Sequence, residues 1–198
     1  MLRRLLFVPI FALGMLAGPA LAANPQVELD TTAGTIKLEL YPNAAPKTVE
    51  NFLQYVKDGH YSGTQFHRVI KGFMIQGGGY DASFREKPTR PPVPIESEQS
   101  AAAGLSNGPG TVAMARTGNP NSATAQFFIN VGDNKRLDFR SPDAQGYGYT
   151  VFGKVVSGMD VVNKISNAPT GDAGGRFPTD VPVERVIIKS VHVVTPAS

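Results

Sequence analysis

The sequence predicts a mainly β single domain, built as a barrel or a sandwich with two isolated helices. Short apolar segments recur along the chain, each bounded by turn residues, and no strand alternates with a long helix as in βαβ units. Glycine (21) and proline (16) are plentiful, which favours short strands and loops over a helical bundle. A length of 198 residues, 41% of them hydrophobic, suits one core and leaves no room for two comfortable ones. Periodicity alone leaves barrel and sandwich both open.

Residues 1–22 read as an export leader. Arg3 and Arg4 form a short positive region, Leu5 to Leu16 is an almost uninterrupted apolar run, and Ala20-Leu21-Ala22 has the small-x-small pattern of a signal peptidase site. The run is shorter than the roughly 20 residues a spanning helix needs, and Gly18-Pro19 breaks it, so no stable membrane anchor is expected. Cleavage after about Ala22 leaves residues 23–198 as one domain. Without Arg3 and Arg4 the formal charge falls from +3 to +1, which removes an electrostatic case for nucleic acid. The chain has no cysteine, which excludes a disulfide framework, a thiol nucleophile and a thiolate metal site, and suits an oxidising destination. Its three histidines (His60, His67, His192) lack metal-site spacing.

The first elements of the mature chain are Val27 to Asp30 and Thr35 to Leu40. Both alternate apolar and polar residues around Thr32-Ala33-Gly34, the pattern of a hairpin with one buried face. Pro46 opens a helix whose Val49, Phe52, Leu53 and Val56 fall on one face, and Gly59 closes it. Strands follow at Gln65 to Ile70 and Phe73 to Gln76. Gly77 to Gly110 shows no sustained period; an unstructured loop of that length is usually functional or mobile. Strands are expected again at Thr111 to Arg116, Gln126 to Val131 and Thr150 to Val156. Met159 to Ser166 suits a second short helix, and Val186 to Thr195 a final β-branched strand.

Gly104-Leu105-Ser106-Asn107-Gly108 fits the G-x-S-x-G elbow of serine hydrolases, and Asp160 and His192 could complete a triad in chain order. Gly108-Pro109-Gly110 cannot begin the helix such an elbow requires, so a turn is favoured and the hydrolase stays an alternative. Gly77-Gly78-Gly79 lacks a following lysine or helix and reads as a turn at a strand end; Gly171 to Gly175 reads as a surface loop. Phe66 to Gly78 is the densest segment, combining Arg68, Phe73, Met74 and Gln76 on neighbouring strands. Composition alone would make it an ordinary strand pair, with His67 structural.

In its order of motifs the mature chain resembles the cyclophilin-type peptidyl-prolyl cis-trans isomerases. Ala45 to Phe52 is similar to the family's first helix and Phe66 to Gly78 to its catalytic signature. Thr111 to Arg116 and Ser122 to Ile129 resemble the second signature, and Val151 to Val155 and Gly158 to Val162 the closing part. The resemblance implies a closed eight-stranded antiparallel barrel capped by two helices, working without metal or cofactor. It implies Arg68 as the catalytic arginine and Phe73, Met74, Phe128 and Leu137 as the pocket for the substrate proline. Gln76 and the backbone of Ala115 and Arg116 would hold the peptide, supported by Gln126. Lys71 stands where the family commonly has proline, Arg136 where many eukaryotic members carry tryptophan, and Tyr149 at the position of a pocket histidine; the loop Arg116 to Ser122 is altered as well.

With the leader, these features resemble bacterial periplasmic members. The expected substrates are proline-containing, unfolded or partly folded exported polypeptides, bound by a monomer with weak affinity for cyclosporin. A binding module or holdase using the same groove is the alternative of a different class.

Overall fold

The structure is a computed structural model and describes residues 23–177 and 179–194; residues 1–22, read above as an export leader, Pro178 and the last four residues lie outside it. Its elements are β1 (Gln26–Thr31), β2 (Thr35–Leu40), α1 (Pro46–Lys57), β3 (Thr64–Ile70), β4 (Met74–Asp81), α2 (Ser97–Ala102), β5 (Thr111–Met114), β6 (Phe127–Asn130), a 3-10 turn (Lys135–Leu137), β7 (Val151–Ser157), α3 (Met159–Ser166), β8 (Thr170–Gly171), β9 (Val181–Pro182) and β10 (Ile188–Val194). Eight strands form one antiparallel sheet in the order β10-β1-β2-β7-β5-β6-β4-β3, and β8 and β9 pair separately.

The closed barrel expected from the sequence is corrected here. The ladder is open between β3 and β10. Their seam carries one isolated bridge, Gln65 with Ile187, and the bonds Gly63 N–H to Ile188 O (2.8 Å) and Phe66 N–H to Val186 O (2.9 Å). Beyond Thr64 the outer edge of β3 meets the segment before β10 instead of a strand of the sheet, with Val69 N–H donated to Asp180 O at 2.7 Å. The pairing of β3 with β4 itself shifts register twice, between Thr64 and Phe66 and between Phe66 and Arg68. Such bulges bend a strand out of regular pairing.

Period-two alternation sends Val27, Leu29, Ile36 and Leu38 inward, where they meet Phe52 of α1 and Phe66, Phe127 and Phe152 of the sheet, all at 0% exposure. α1 starts with Pro46 in its first turn but has no capping side chain at Ala45. The buried Glu96 supplies the cap from a distant loop. Its carboxylate accepts Lys47 N–H (3.1 Å), Thr48 N–H (2.8 Å) and the Thr48 hydroxyl (2.8 Å).

The segment 77–110 is therefore neither structureless nor free. β4 runs on to Asp81, Val93 bridges Ala123, and α2 (unforeseen, at six residues) pins itself by Ser100 Oγ–H donated to Val151 O at 2.7 Å. Gly77 to Gly79 do not form a turn. They lie inside β4, where a Cβ on Gly78 (φ +88°) would sit 2.9 Å from Tyr61 and 3.0 Å from Phe127. Glycine is needed for close approach to that aromatic cluster.

Candidate active site

The sheet has a second buried face. Where Phe127 and Ile129 point to the main core, Phe128 between them points outward, as do Ala113 of β5, Met74 of β4 and Val151 of β7. Pairing register lines these residues up. Arg68 of β3 faces Gln76 of β4, Gln76 faces Phe128 of β6, Phe128 faces Ala113 of β5, and Ala113 faces Val151 of β7. One row across five strands thus carries a guanidinium, an amide and an apolar floor.

Three segments outside the strands raise walls on that row. Phe73 closes the β3–β4 turn, Leu137 ends the 3-10 turn, and Tyr149 leads into β7 with its ring edge-on to Phe128 at 5.5 Å. The result is a cavity of about 260 Å³ lined by Arg68, Phe73, Met74, Gln76, Ala115, Arg116, Phe128, Leu137 and Tyr149. Gln126 is the remaining residue selected from the sequence. It lines a neighbouring groove and accepts a hydrogen bond from Gln76 Nε2 at 3.0 Å. All ten positions come together. The Arg116 guanidinium lies 4.7 Å above the Tyr149 ring and donates from Nε to Gly148 O at 2.8 Å. Arg136 lies 4.6 Å over Phe73 at the outer rim.

Sequence reasoning missed what fixes the walls. Asn107, 1% exposed, donates from Nδ2 to Leu137 O (3.2 Å) and Tyr149 O (3.4 Å), and Asn134 donates from Nδ2 to Phe73 O at 2.8 Å. Asn130 joins the two, giving to Asn107 Oδ1 (3.2 Å) and accepting from Asn134 Nδ2 (2.8 Å). Asn130, at the end of β6, thus links two loop asparagines that hold three pocket residues by their carbonyls. The only available signal was that buried amides need partners.

The G-x-S-x-G segment belongs to the same bracket. Ser106 Oγ donates to Asp138 Oδ2 at 2.5 Å and Asn107 N–H to Asp138 Oδ1 at 2.7 Å, while no strand–helix elbow surrounds them. His192 sits in β10 facing Glu28 across the ladder, with Nε2 3.7 Å from its carboxylate. The hydrolase triad is not assembled.

His67 is buried against Tyr80 (4.7 Å) and Phe177 (5.9 Å), and burial pushes its pKa down to about 4. It is neutral at physiological pH. Among the described residues, no group of three or more His, Asp or Glu side chains is placed to hold a metal ion.

Comparison with known proteins gives this geometry its family. Residues 26–193 match the model of the cyclophilin type peptidyl-prolyl cis-trans isomerase family. Peptidyl-prolyl cis-trans isomerase cyp18 of Streptomyces antibioticus is 53% identical over 168 residues, covering 85% of this chain and 98% of that one. Peptidyl-prolyl cis-trans isomerase A of Dickeya dadantii is 45% identical over 197 residues, covering 98% of this chain and 99% of that one. Among solved structures, a cyclophilin type isomerase of Cryptosporidium parvum superposes with a TM-score of 0.68 at 28% identity, covering 88% of this chain and 99% of that chain. The same parasite enzyme solved in the presence of the dipeptide Ala-Pro gives 0.66 at 28% identity, over 86% and 99% of the two chains. The outward row of the sheet thus sits in a chain that belongs to the cyclophilin-type peptidyl-prolyl cis-trans isomerases.

Proposed function

We propose that this isomerase accelerates X-Pro rotation in exported polypeptides and so assists their folding in the periplasm, after removal of residues 1–22. The carrying observation is the partly exposed Arg68 guanidinium on the edge of an apolar cavity formed by Phe73, Met74, Phe128 and Leu137. Rotation about an amide faces a barrier of roughly 18–20 kcal/mol because it sacrifices conjugation. Uncatalysed X-Pro bonds interconvert over roughly tens to hundreds of seconds, slow enough to limit folding. Reaching milliseconds takes about 10⁵-fold, or roughly 7 kcal/mol of binding energy expressed only in the twisted state.

In that state the prolyl nitrogen recovers a localised lone pair. Arg68 donates a hydrogen bond to it and favours the twisted amide over either planar isomer. The apolar cavity grips the proline ring. Gln76, supported by Gln126, and the backbone of Ala115 and Arg116 anchor the chain on the other side of the rotating bond, and Tyr149 closes the pocket wall. The parasite enzyme solved in the presence of Ala-Pro supports a prolyl occupant for this pocket. The holdase reading has no observation that favours it over catalysis.

A short X-Pro peptide assay with Arg68→Ala and Ser106→Ala tests the chemistry. The first variant is expected to be crippled and the second to keep its activity. Fractionation of cells expressing the full chain, with mass measurement of the product, tests export. The expected product is periplasmic and begins at about Ala23; a full-length cytoplasmic product would overturn the assignment.

A further inference from the structure

Arg68 is held by little. Among the described residues no hydrogen bond reaches its guanidinium, and its one ion-pair partner is Asp180, with Nε 3.9 Å from Oδ2. Asp180 sits in the segment just before β9. That segment is docked on β3 beside the arginine by Val69 N–H donated to Asp180 O at 2.7 Å. The contact has a direction. Arg68 lines both the apolar cavity and the neighbouring groove, whereas Asp180 lines only the groove. The carboxylate therefore approaches the guanidinium from the side away from the substrate pocket. Arg176, the other charged side chain of that groove, is engaged by Glu86 at 3.4 Å.

The backbone adds a second observation. Asp180 has φ +65°, one of only two non-glycine residues with positive φ among those described. Left-handed backbone is visited chiefly by glycine, asparagine and aspartate. Of these only aspartate brings a carboxylate to face Arg68.

We infer that Asp180 is a positioning residue for catalysis, engaging Arg68 Nε from the groove so that the remaining guanidinium donors stay directed at the prolyl nitrogen. This rests on the reading of Arg68 as the catalytic donor. The carboxylate touches no substrate, and its effect passes wholly through the arginine.

Two substitutions separate the charge from the turn. Asp180→Asn tolerates left-handed backbone and removes the charge; Asp180→Gly relieves the φ and leaves the docking carbonyl in place. Both are expected to melt at or above the temperature of the unmodified protein. For a partly exposed ion pair, kcat should fall roughly fivefold with KM nearly unchanged. The Arg68 Nε–H signal, identified in ¹⁵N spectra by its loss in Arg68→Ala, should shift in both variants. Adding Asp180→Asn to Arg68→Ala should cost nothing further.

Unchanged kcat in Asp180→Asn and Asp180→Gly, or an equal further loss in the Arg68→Ala background, overturns the assignment of Asp180. Near-normal activity of Arg68→Ala alone would instead overturn the reading on which it rests.

Discussion

At the scale of single residues, the proposed chemistry rests on Arg68 and on no histidine. Its side chain is 47% exposed, so Arg68→Ala should leave stability nearly intact. The loss of one donor aimed at the transition state should lower kcat/KM by roughly 10²–10³-fold. Arg68→Lys should rescue poorly for want of the planar fork. A stopped-flow peptide assay with a melting curve checks both. The proposed mechanism uses no titrating group, so activity should be flat across about pH 6–8, where an unperturbed histidine titrates; a bell-shaped profile on intact fold would speak against the mechanism. Stability behaves differently. His67 at about 4 in the folded state binds protons more weakly than the unfolded chain does near 6.5. Its contribution is full above pH 6.5 and drains away as pH falls towards 4, by about 3 kcal/mol. Urea midpoints at several pH values, compared with His67→Phe, isolate that slope. Arg136 is expected to govern the response to cyclosporin. Its guanidinium covers Phe73 at 4.6 Å, and a charged head resists losing water to an apolar macrocycle. The unmodified enzyme should bind cyclosporin weakly, and Arg136→Trp should tighten inhibition more than it alters turnover. Nanomolar inhibition without the substitution would show that the rim contributes little.

At the scale of elements, α1 depends on a residue outside itself. Three donors of its first turn and adjoining side chain converge on the Glu96 carboxylate. Glu96→Ala should cost about 2–3 kcal/mol, since it strands buried amides and removes charge-assisted bonds. The urea midpoint measures it, with Glu96→Gln intermediate. This dependence also shows where sequence reading works. The β1–β2 hairpin was legible because one face is buried and one wet, so apolar residues alternate. α1 was legible because its apolar stripe repeats at helical spacing. α2 was not, because SEQSAA has too few residues to show a period and is held by Ser100 and its neighbours instead. The pocket residues were legible only through the resemblance. β6 is buried on both faces, so FFIN contains no alternation that would set Phe128 apart from Phe127. Asn107 was visible as part of a glycine-serine motif and Asp180 not at all, since both act on residues far along the chain.

At the scale of the whole molecule, the order of strands couples the two ends of the chain. β1 is an interior strand, bonded on one side to β2 and on the other to β10. β1 therefore lacks one of its two partners until the last strand has been made. Contacts this distant in sequence also make folding slow relative to helical proteins. Among the described residues the first backbone bond is at Pro25, whose carbonyl accepts Leu40 N–H at 2.9 Å. Residues 23–198, which contain every described element, should refold alone to a monomer with full activity. Residues 23–185 should not fold, because they lose both the strand that covers β1 and the bonds that tie Gly63 and Phe66 across the seam. Bared at its edge, β1 would offer unpaired amides above buried Val27 and Leu29, a template for aggregation. Circular dichroism melts and gel filtration of the two chains check this. A cooperative, monomeric melt of residues 23–185 would mean that the sheet stands without its closing strand and that chain order places no constraint on when it folds.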